Sequence, residues 1–423
     1  MRRVATKAMF VMMLVLFALA PAAQAIEMDL VIGLNIPKTG PYRTQGEDEE
    51  MGYKLAIESI NEKGGVLGRK LTYILRDSKS QPALAAENTR EMIQKYNAVM
   101  ISGGVSSAVA IAQSDVCQEL SVPFMAAITH SNATTGHLVT KAGFTQQAAN
   151  RHTFRWYINA WMSGKTLAPY LMKHYGKTAD YFYISADYTW GYSMEESLRW
   201  MTETEGSDTV GAVRTPLGAT DFRQHLDKAA AMEPDILVLV LFGDDLVNAL
   251  RQAHEMGLTK KTRVVVPLME VHMAHALGHE IIQDVICTTG WYWGLRDRFE
   301  GTREFVNKFQ TKYNKPPGSG AAAAWVAVHE WAAAVEKAGD VFADEEIILA
   351  LEGRKFKLLK DSEEWRVWDH QCITEVFVME GKSPKEAQGE WDLFDIVHSE
   401  KGLGIMRTRE ENPVTLQPLV LER

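Results

Sequence analysis

Short apolar runs alternate with longer stretches of helical periodicity along almost the whole chain, and this alternation restricts the fold more than any other feature. Asp29 to Asn35 reads as a buried strand. Pro37-Lys-Thr-Gly-Pro41 breaks it ahead of the acidic run Glu47 to Glu50, which suits the positive end of a helix dipole and predicts a helix start there. Tyr53, Ala56, Ile57 and Ile60 recur at i, i+3, i+4 and i+7, forming one apolar helical face that Gly64-Gly65 closes. The pattern predicts further strands at Leu71 to Leu75, Ala98 to Ile101 and Pro123 to Ile128, with helices running from Pro82 towards Lys95 and from Ser106 to Leu120. A second series begins near Arg155, with strands at Tyr181 to Ser185, Val210 to Arg214, Ile236 to Phe242 and Val264 to Pro267, and Val285 to Thr289 reads as a further strand after it. Helices at Thr302 to Tyr313 and Ala321 to Ala338 follow, and the pattern turns hairpin-like at Glu375 to Met379 and Trp391 to Val397. Strands joined through crossover helices pair in parallel, so the expected class is α/β, with two doubly wound parallel-sheet lobes and a strand-rich tail.

The first 25 residues stand apart from this pattern. Arg2, Arg3 and Lys7 precede an apolar run from Ala8 to Ala20, then Pro21 and Ala22-Ala23-Gln24-Ala25, which reads as a secretory signal peptide cleaved after Ala25. The run is shorter than the roughly 20 residues that cross a bilayer. Losing its three cations takes the formal charge from −9 to −12, which argues against nucleic acid as a partner. Three cysteines, Cys117, Cys287 and Cys372, do not make a disulfide scaffold. Export would permit one bridge between an unspecified pair, and buried free thiols are the alternative for all three.

In open α/β sheets ligands bind beyond the carboxyl ends of the strands, so the strand-to-helix loops are the places to look. Thr39-Gly-Pro-Tyr42 through Gln45-Gly46 is one such loop. Ser102-Gly103-Gly104-Val-Ser106-Ser107 is another, and it leads straight into a helix, where hydroxyls and free amide groups suit a carboxylate. Ser106 or Ser107 could equally serve only as a helix cap. Thr129-His130-Ser131-Asn132 would complete a polar clamp, with an ordinary polar turn as its plain alternative. Trp156-Tyr157, Tyr188-Thr-Trp190 and Trp291-Tyr-Trp293 supply rigid apolar walls, of which some will instead be core packing.

At these residues the chain resembles the type I periplasmic binding proteins of the branched-chain amino acid ABC transporter family. The resemblance is carried by Thr39-Gly-Pro41, by Ile60-Asn61-Glu-Lys-Gly64-Gly65-Val-Leu-Gly68-Arg69, by Val122-Pro123 through Thr129, and by Leu250-Arg251-Gln252-Ala253-His-Glu-Met-Gly257. It implies two lobes joined by three crossover segments, with residues 26–147 and about 275–345 in the first and 148–274 and about 346–423 in the second. It also implies a periplasmic location, a small-molecule ligand enclosed between the lobes, and an ABC permease with its ATPase subunits as partners. Ser106, Ser107 and Thr129 would face the ligand carboxylate, and Tyr42, Gln45, Trp190 and Glu270 would flank the cleft. Amino-acid binders of the family carry an acid shortly after the Arg155-like residue. Here that neighbourhood reads Asn159-Ala160-Trp161, which leaves Glu270 for an ammonium. Members with a similar Asp369-His370-Gln371 are associated with aromatic or other organic acids, and Trp156, Tyr157 and Trp291 would stack a planar ring, so both ligand types stay open. A monomer is expected, because one hinge-closing cleft needs no second subunit. A sensor that docks on a signalling receptor is the alternative use of the same fold.

No enzyme motif survives inspection. Gly164-Lys165-Thr166 resembles the end of a phosphate-binding loop, but Asn159 stands where its first glycine belongs. His254-Glu255, His279-Glu280 and His329-Glu330 lack the second histidine of a zinc protease helix, and there is no Gly-x-Ser-x-Gly. His272, His275 and His279 would share one face if a single helix carried them, but a His-rich surface helix is the plainer reading, and no metal or cofactor is expected.

Overall fold

The computed structural model describes residues 28–139 and 145–419, so the signal peptide expected over residues 1–25 lies outside the described residues. The first sheet is built from β1 (Leu30–Ile36), β2 (Leu71–Asp77), β3 (Ala98–Gly103) and β4 (Phe124–Ala126). A small hairpin, β5 (His137–Val139) and β6 (Thr145–Gln147), precedes the fifth strand of that sheet, β7 (Thr153–Arg155). The order β2-β1-β3-β4-β7 is parallel throughout, as crossover helices on both faces require. β3 is buried along its full length, which accounts for its continuous Ala-Val-Met-Ile run.

The second sheet contains β8 (Asp180–Ala186), β9 (Asp208–Thr215), β10 (Ile236–Val240), β11 (Arg263–Val266) and β12 (Ile286–Thr289). A three-stranded patch, β13 (Lys355–Phe356), β14 (Glu363–Trp365) and β15 (Cys372–Ile373), precedes β16 (Glu375–Gly381) and β17 (Phe394–Lys401). The second sheet runs β17-β16-β12-β11-β10-β8-β9, with the hairpin β16–β17 added antiparallel to β12.

The chain passes between the lobes three times. It crosses after Arg155 into the helix Ala160–Tyr175, after Thr289 back to the helices Glu300–Tyr313 and Ser319–Ala338, and through β13–β15 to β16. Two boundaries differ from the sequence expectation. β12, placed by sequence with the first lobe, takes the open edge of β11 and belongs to the second sheet. β7, placed with the second lobe, pairs Thr153 with Phe124 and closes the first sheet.

The helix Arg43–Asn61 starts a turn before the acidic run that was expected to open it, so Asp48 and Glu49 are interior and buried. Asp48 does sit at a helix N-terminus, but at that of Ser319–Ala338, where it accepts from the Gly318 and Ala321 amides at 3.0 and 2.8 Å. Tyr53, Ala56, Ile57 and Ile60 form the buried face their spacing predicts. All three cysteines are free and buried. No helix among the described residues is long and apolar enough to cross a membrane.

Candidate functional site

The turn between β3 and the helix Ser107–Glu119 depends on glycine. Gly103 and Gly104 have φ of 130° and 86°, and a Cβ on Gly103 would lie 2.3 Å from the Asn35 carbonyl oxygen. The turn delivers Ser106 to the N-cap position, where its side chain makes no capping bond, and brings Ser107 into the first turn. The Ser107 hydroxyl oxygen accepts from the Ser131 amide and from the Thr129 hydroxyl, both at 3.1 Å. Its own proton therefore remains to be donated, beside the free amides of a 13-residue helix. A carboxylate is the complementary group for that constellation.

Thr129 and His130 follow β4, and Arg155 fixes their loop. Its guanidinium, fully buried, donates to Gln371 Oε1 at 2.7 Å, to Thr135 Oγ1 at 2.6 Å and to the Ser131 carbonyl. Burial lowers its pKa to about 9, which still leaves it charged at neutral pH. Trp190 Nε1 donates to His130 Nδ1 at 2.7 Å, so the ring proton resides on Nε2, facing Ser163 Oγ at 2.8 Å. Burial, helped by the Arg155 charge, holds His130 well below the usual histidine range and keeps it neutral. With both nitrogens engaged, His130 positions Trp190 and offers no free polar atom of its own.

The opposite wall comes from the second lobe. Trp190 meets Phe242 edge-on with centroids 6.0 Å apart, and Phe242 meets Tyr42 of the first lobe in the same way at 5.7 Å. The Tyr42 and Tyr188 hydroxyls are 2.8 Å apart. Burial and the neighbouring phenol push the Tyr42 hydroxyl well above its usual pKa. Asp244 donates its amide to the Pro41 carbonyl at 3.2 Å, and Ser131 and Asn132 bond Ser193 and Ser197 at 2.9 Å each. Apart from Trp190–Phe242, which lies within the second lobe, these contacts run from one lobe to the other, so the lobes are closed on each other.

Glu270, at the N-cap of the helix Val271–Leu277, reaches across as well. Its carboxylate accepts from the Tyr157 hydroxyl at 2.7 Å and from the Ser319 amide at 2.9 Å. Burial raises its pKa to about 7. His272, two residues on, bonds Asp48 at 3.0 Å. The imidazoles expected on one face do not converge, because Gly278 ends the helix before His279. His275 stacks on Trp391 instead, with ring centroids 3.7 Å apart.

Of the twelve residues singled out by sequence, the structure joins Tyr42 to Tyr188, Ser107 to Thr129, His130 to Trp190 and Tyr157 to Glu270 by hydrogen bonds, and Gln45 and Ser106 are buried. Trp156 and Trp291 do not join them. Both neighbours are buried but meet different partners: Tyr157 faces Glu270, while the Trp156 indole donates to Glu363 Oε1 at 2.8 Å. The Trp291 indole donates to Thr302 at 3.0 Å and packs on Phe305, which makes it part of the first lobe's core. Sequence reading missed Phe242, although it lies two residues past the end of β10 and the strand-end rule applied to the second lobe would have found it.

A family model described as periplasmic binding protein matches residues 29–388. A Leu/Ile/Val-binding protein homolog from Brucella suis is 26% identical over 309 residues, covering 72% of this chain and 75% of that protein. A periplasmic binding protein from Burkholderia mallei is similar in structure with a TM-score of 0.83 and 25% identity, covering 91% of this chain and 98% of that one. A solute-binding protein of an ABC transporter from Rhodopseudomonas palustris, solved with 3,4-dihydroxybenzoic acid, has a TM-score of 0.78 at 18% identity, covering 89% and 98%.

Proposed function

Because the chain belongs to the periplasmic binding proteins, as a type I member of the branched-chain amino acid transporter family, we propose that it is the extracytoplasmic receptor of an ABC importer for a small carboxylate. The observation that carries this reading is the enclosure of one polar and aromatic cluster by both lobes. Ser107 and Thr129 come from strand ends of the first sheet, and Tyr188, Trp190 and Phe242 from strand ends of the second. A solute touching both walls stabilises the closed form and leaves the open form unaffected, which is how binding is converted into a shape that a permease distinguishes. Non-catalytic capture by a monomer fits this task. The two named ligand classes among the relatives, leucine, isoleucine or valine in one and a dihydroxybenzoic acid in another, share the carboxylate that the Ser107 turn is built to meet.

The test is a thermal-shift screen of refolded, ligand-free protein against amino acids, aromatic carboxylates, short aliphatic acids and the matching amides. Solute at about 100 times its dissociation constant adds roughly 2.7 kcal/mol of stability. A shift with acids and none with the matching amides is the expected outcome, abolished by Ser107→Ala. Stabilisation by the amides alone, or by no compound, would refute a carboxylate receptor.

A further inference from the structure

Past β17 the chain first stays on the second lobe and then leaves it. Gly402–Ile405 forms a short helical turn, Ile405 and Met406 are buried, and the Arg407 guanidinium lies 4.9 Å over the Trp161 ring of the helix Ala160–Tyr175. The next residues fold into a turn, in which the Thr408 amide donates to Glu411 Oε2 at 2.9 Å and the Glu411 amide to Thr408 Oγ1 at 3.2 Å.

The attachments that follow fall on different bodies. The Arg407 carbonyl accepts from Arg366 Nη1 of the third crossover at 2.8 Å. Asn412 is buried, and its Nδ2 donates to the Thr135 carbonyl of the first lobe at 3.0 Å and to Asp369 Oδ2 of the third crossover at 3.2 Å. The fit there is close, since a Cβ on Gly136 would stand 2.6 Å from Asn412 Oδ1. Thr415 pairs with Gln147 in both directions, its amide donating to Oε1 at 2.9 Å and its carbonyl accepting from Nε2 at 2.8 Å. The Arg151 amide donates to Gln417 Oε1 at 2.9 Å, and Arg151 Nε donates to the Gln417 carbonyl at 2.8 Å. Residues 405–417 thus run from the core of the second lobe, along a crossover, to the β5–β6 hairpin and the turn before β7.

A tie between two hinged bodies resists rotation when it is attached away from the axis. The first crossover leaves the first lobe after Arg155, and Arg151 lies four residues before that point, on the order of 10 Å away at about 3.3 Å per strand residue. Asn412 takes up slack between the two ends, because it is bonded to the crossover and to the first lobe at once. Bonds that are complete with the lobes closed, and that rotation would break, favour the closed angle.

We propose that residues 405–417 form a strap, a non-covalent connection besides the three crossovers, which holds the lobes towards the closed form and so raises the affinity for solute. Its effect on affinity rests on the receptor reading above; its effect on the lobes does not.

The test compares the full chain with a variant lacking residues 408–423 and with the double variant Gln147→Ala, Gln417→Ala, which removes three of the bonds to the first lobe and leaves the tail in place. Spin labels at Lys79→Cys and Thr220→Cys, exposed positions just past the carboxyl ends of the edge strands β2 and β9, report the interlobe distance, the native cysteines being buried. Without solute, the full chain should show a short-distance population that falls at least fivefold in the truncated variant and by less in the double variant. Affinity for whichever of L-leucine and 3,4-dihydroxybenzoate binds should fall by the same factor, because the apparent dissociation constant scales inversely with the closed fraction. Superposed distance distributions with and without the tail would overturn the strap. A full chain with no short-distance population would do the same, as would a truncated chain whose lobes move closer. Affinity that falls while the distances stay fixed would also overturn it, and would assign the tail to fold stability alone. Failure of the full chain to bind either solute would count against the receptor reading and leave the distances to decide the strap. Should the truncated chain not fold, the double variant carries the same comparison.

Discussion

The Tyr42–Tyr188 hydrogen bond offers a direct measure of how much interlobe contact contributes to ligand retention. The two hydroxyls are 2.8 Å apart and come from opposite lobes, Tyr42 fully buried and Tyr188 half-buried. In an open form both face water, so removing either partner acts on closure and not on folding. Tyr188→Phe leaves the Tyr42 hydroxyl buried and unsatisfied, at a cost of about 2 kcal/mol, or a roughly 30-fold weaker dissociation constant. Tyr42→Phe leaves Tyr188 within reach of water and costs only the net bond, about 1 kcal/mol or roughly fivefold. The double variant removes both hydroxyls and leaves no orphan, so its loss should be close to that of Tyr42→Phe and smaller than that of Tyr188→Phe. Isothermal titration with the tightest solute of the screen measures the three losses, and urea unfolding of ligand-free protein controls for stability. Losses that multiply in the double variant, or unfolding midpoints that fall in step with affinity, would refute the assignment of this pair to closure.

Three further outcomes are expected. Trp156→Phe removes the bond to Glu363 and should cost about 1–3 kcal/mol in chemical denaturation while leaving solute affinity unchanged; a specific loss of affinity would return Trp156 to the binding wall. Gly243→Ala would put a Cβ 2.5 Å from the Pro41 carbonyl oxygen and 2.8 Å from the Tyr42 ring, both in the other lobe, so solute affinity should fall at least tenfold, and unchanged affinity would mean that binding does not need this closure. Glu270 has its folded pKa raised to about 7, so its contribution to stability is complete below the unfolded carboxyl value of about 4.3 and is lost as pH rises towards 7. The difference in unfolding free energy between wild type and Glu270→Gln should therefore shift against the wild type by up to about 3 kcal/mol from pH 4.5 to pH 7.5; a difference independent of pH would contradict that raised value.

The alternation of apolar runs and helical stretches determined the fold class by itself, because strand and helix periodicities are set by residues adjacent in the chain. It also placed Ser107, Thr129, Tyr188 and Trp190 near strand ends, since strand-to-helix turns sit at the carboxyl ends of parallel strands wherever the chain later packs them. Only the tertiary structure decided which side of each segment faces the cleft. Trp156 and Tyr157 are neighbours in sequence, and their opposite fates follow from what each meets across the hinge, Glu363 in one case and Glu270 in the other. The acidic run is the sharper case. Its charge favours a helix N-terminus, but the one that Asp48 caps begins 270 residues later, and Glu49 beside it is left without a donor, because packing and not chain proximity brought those elements together.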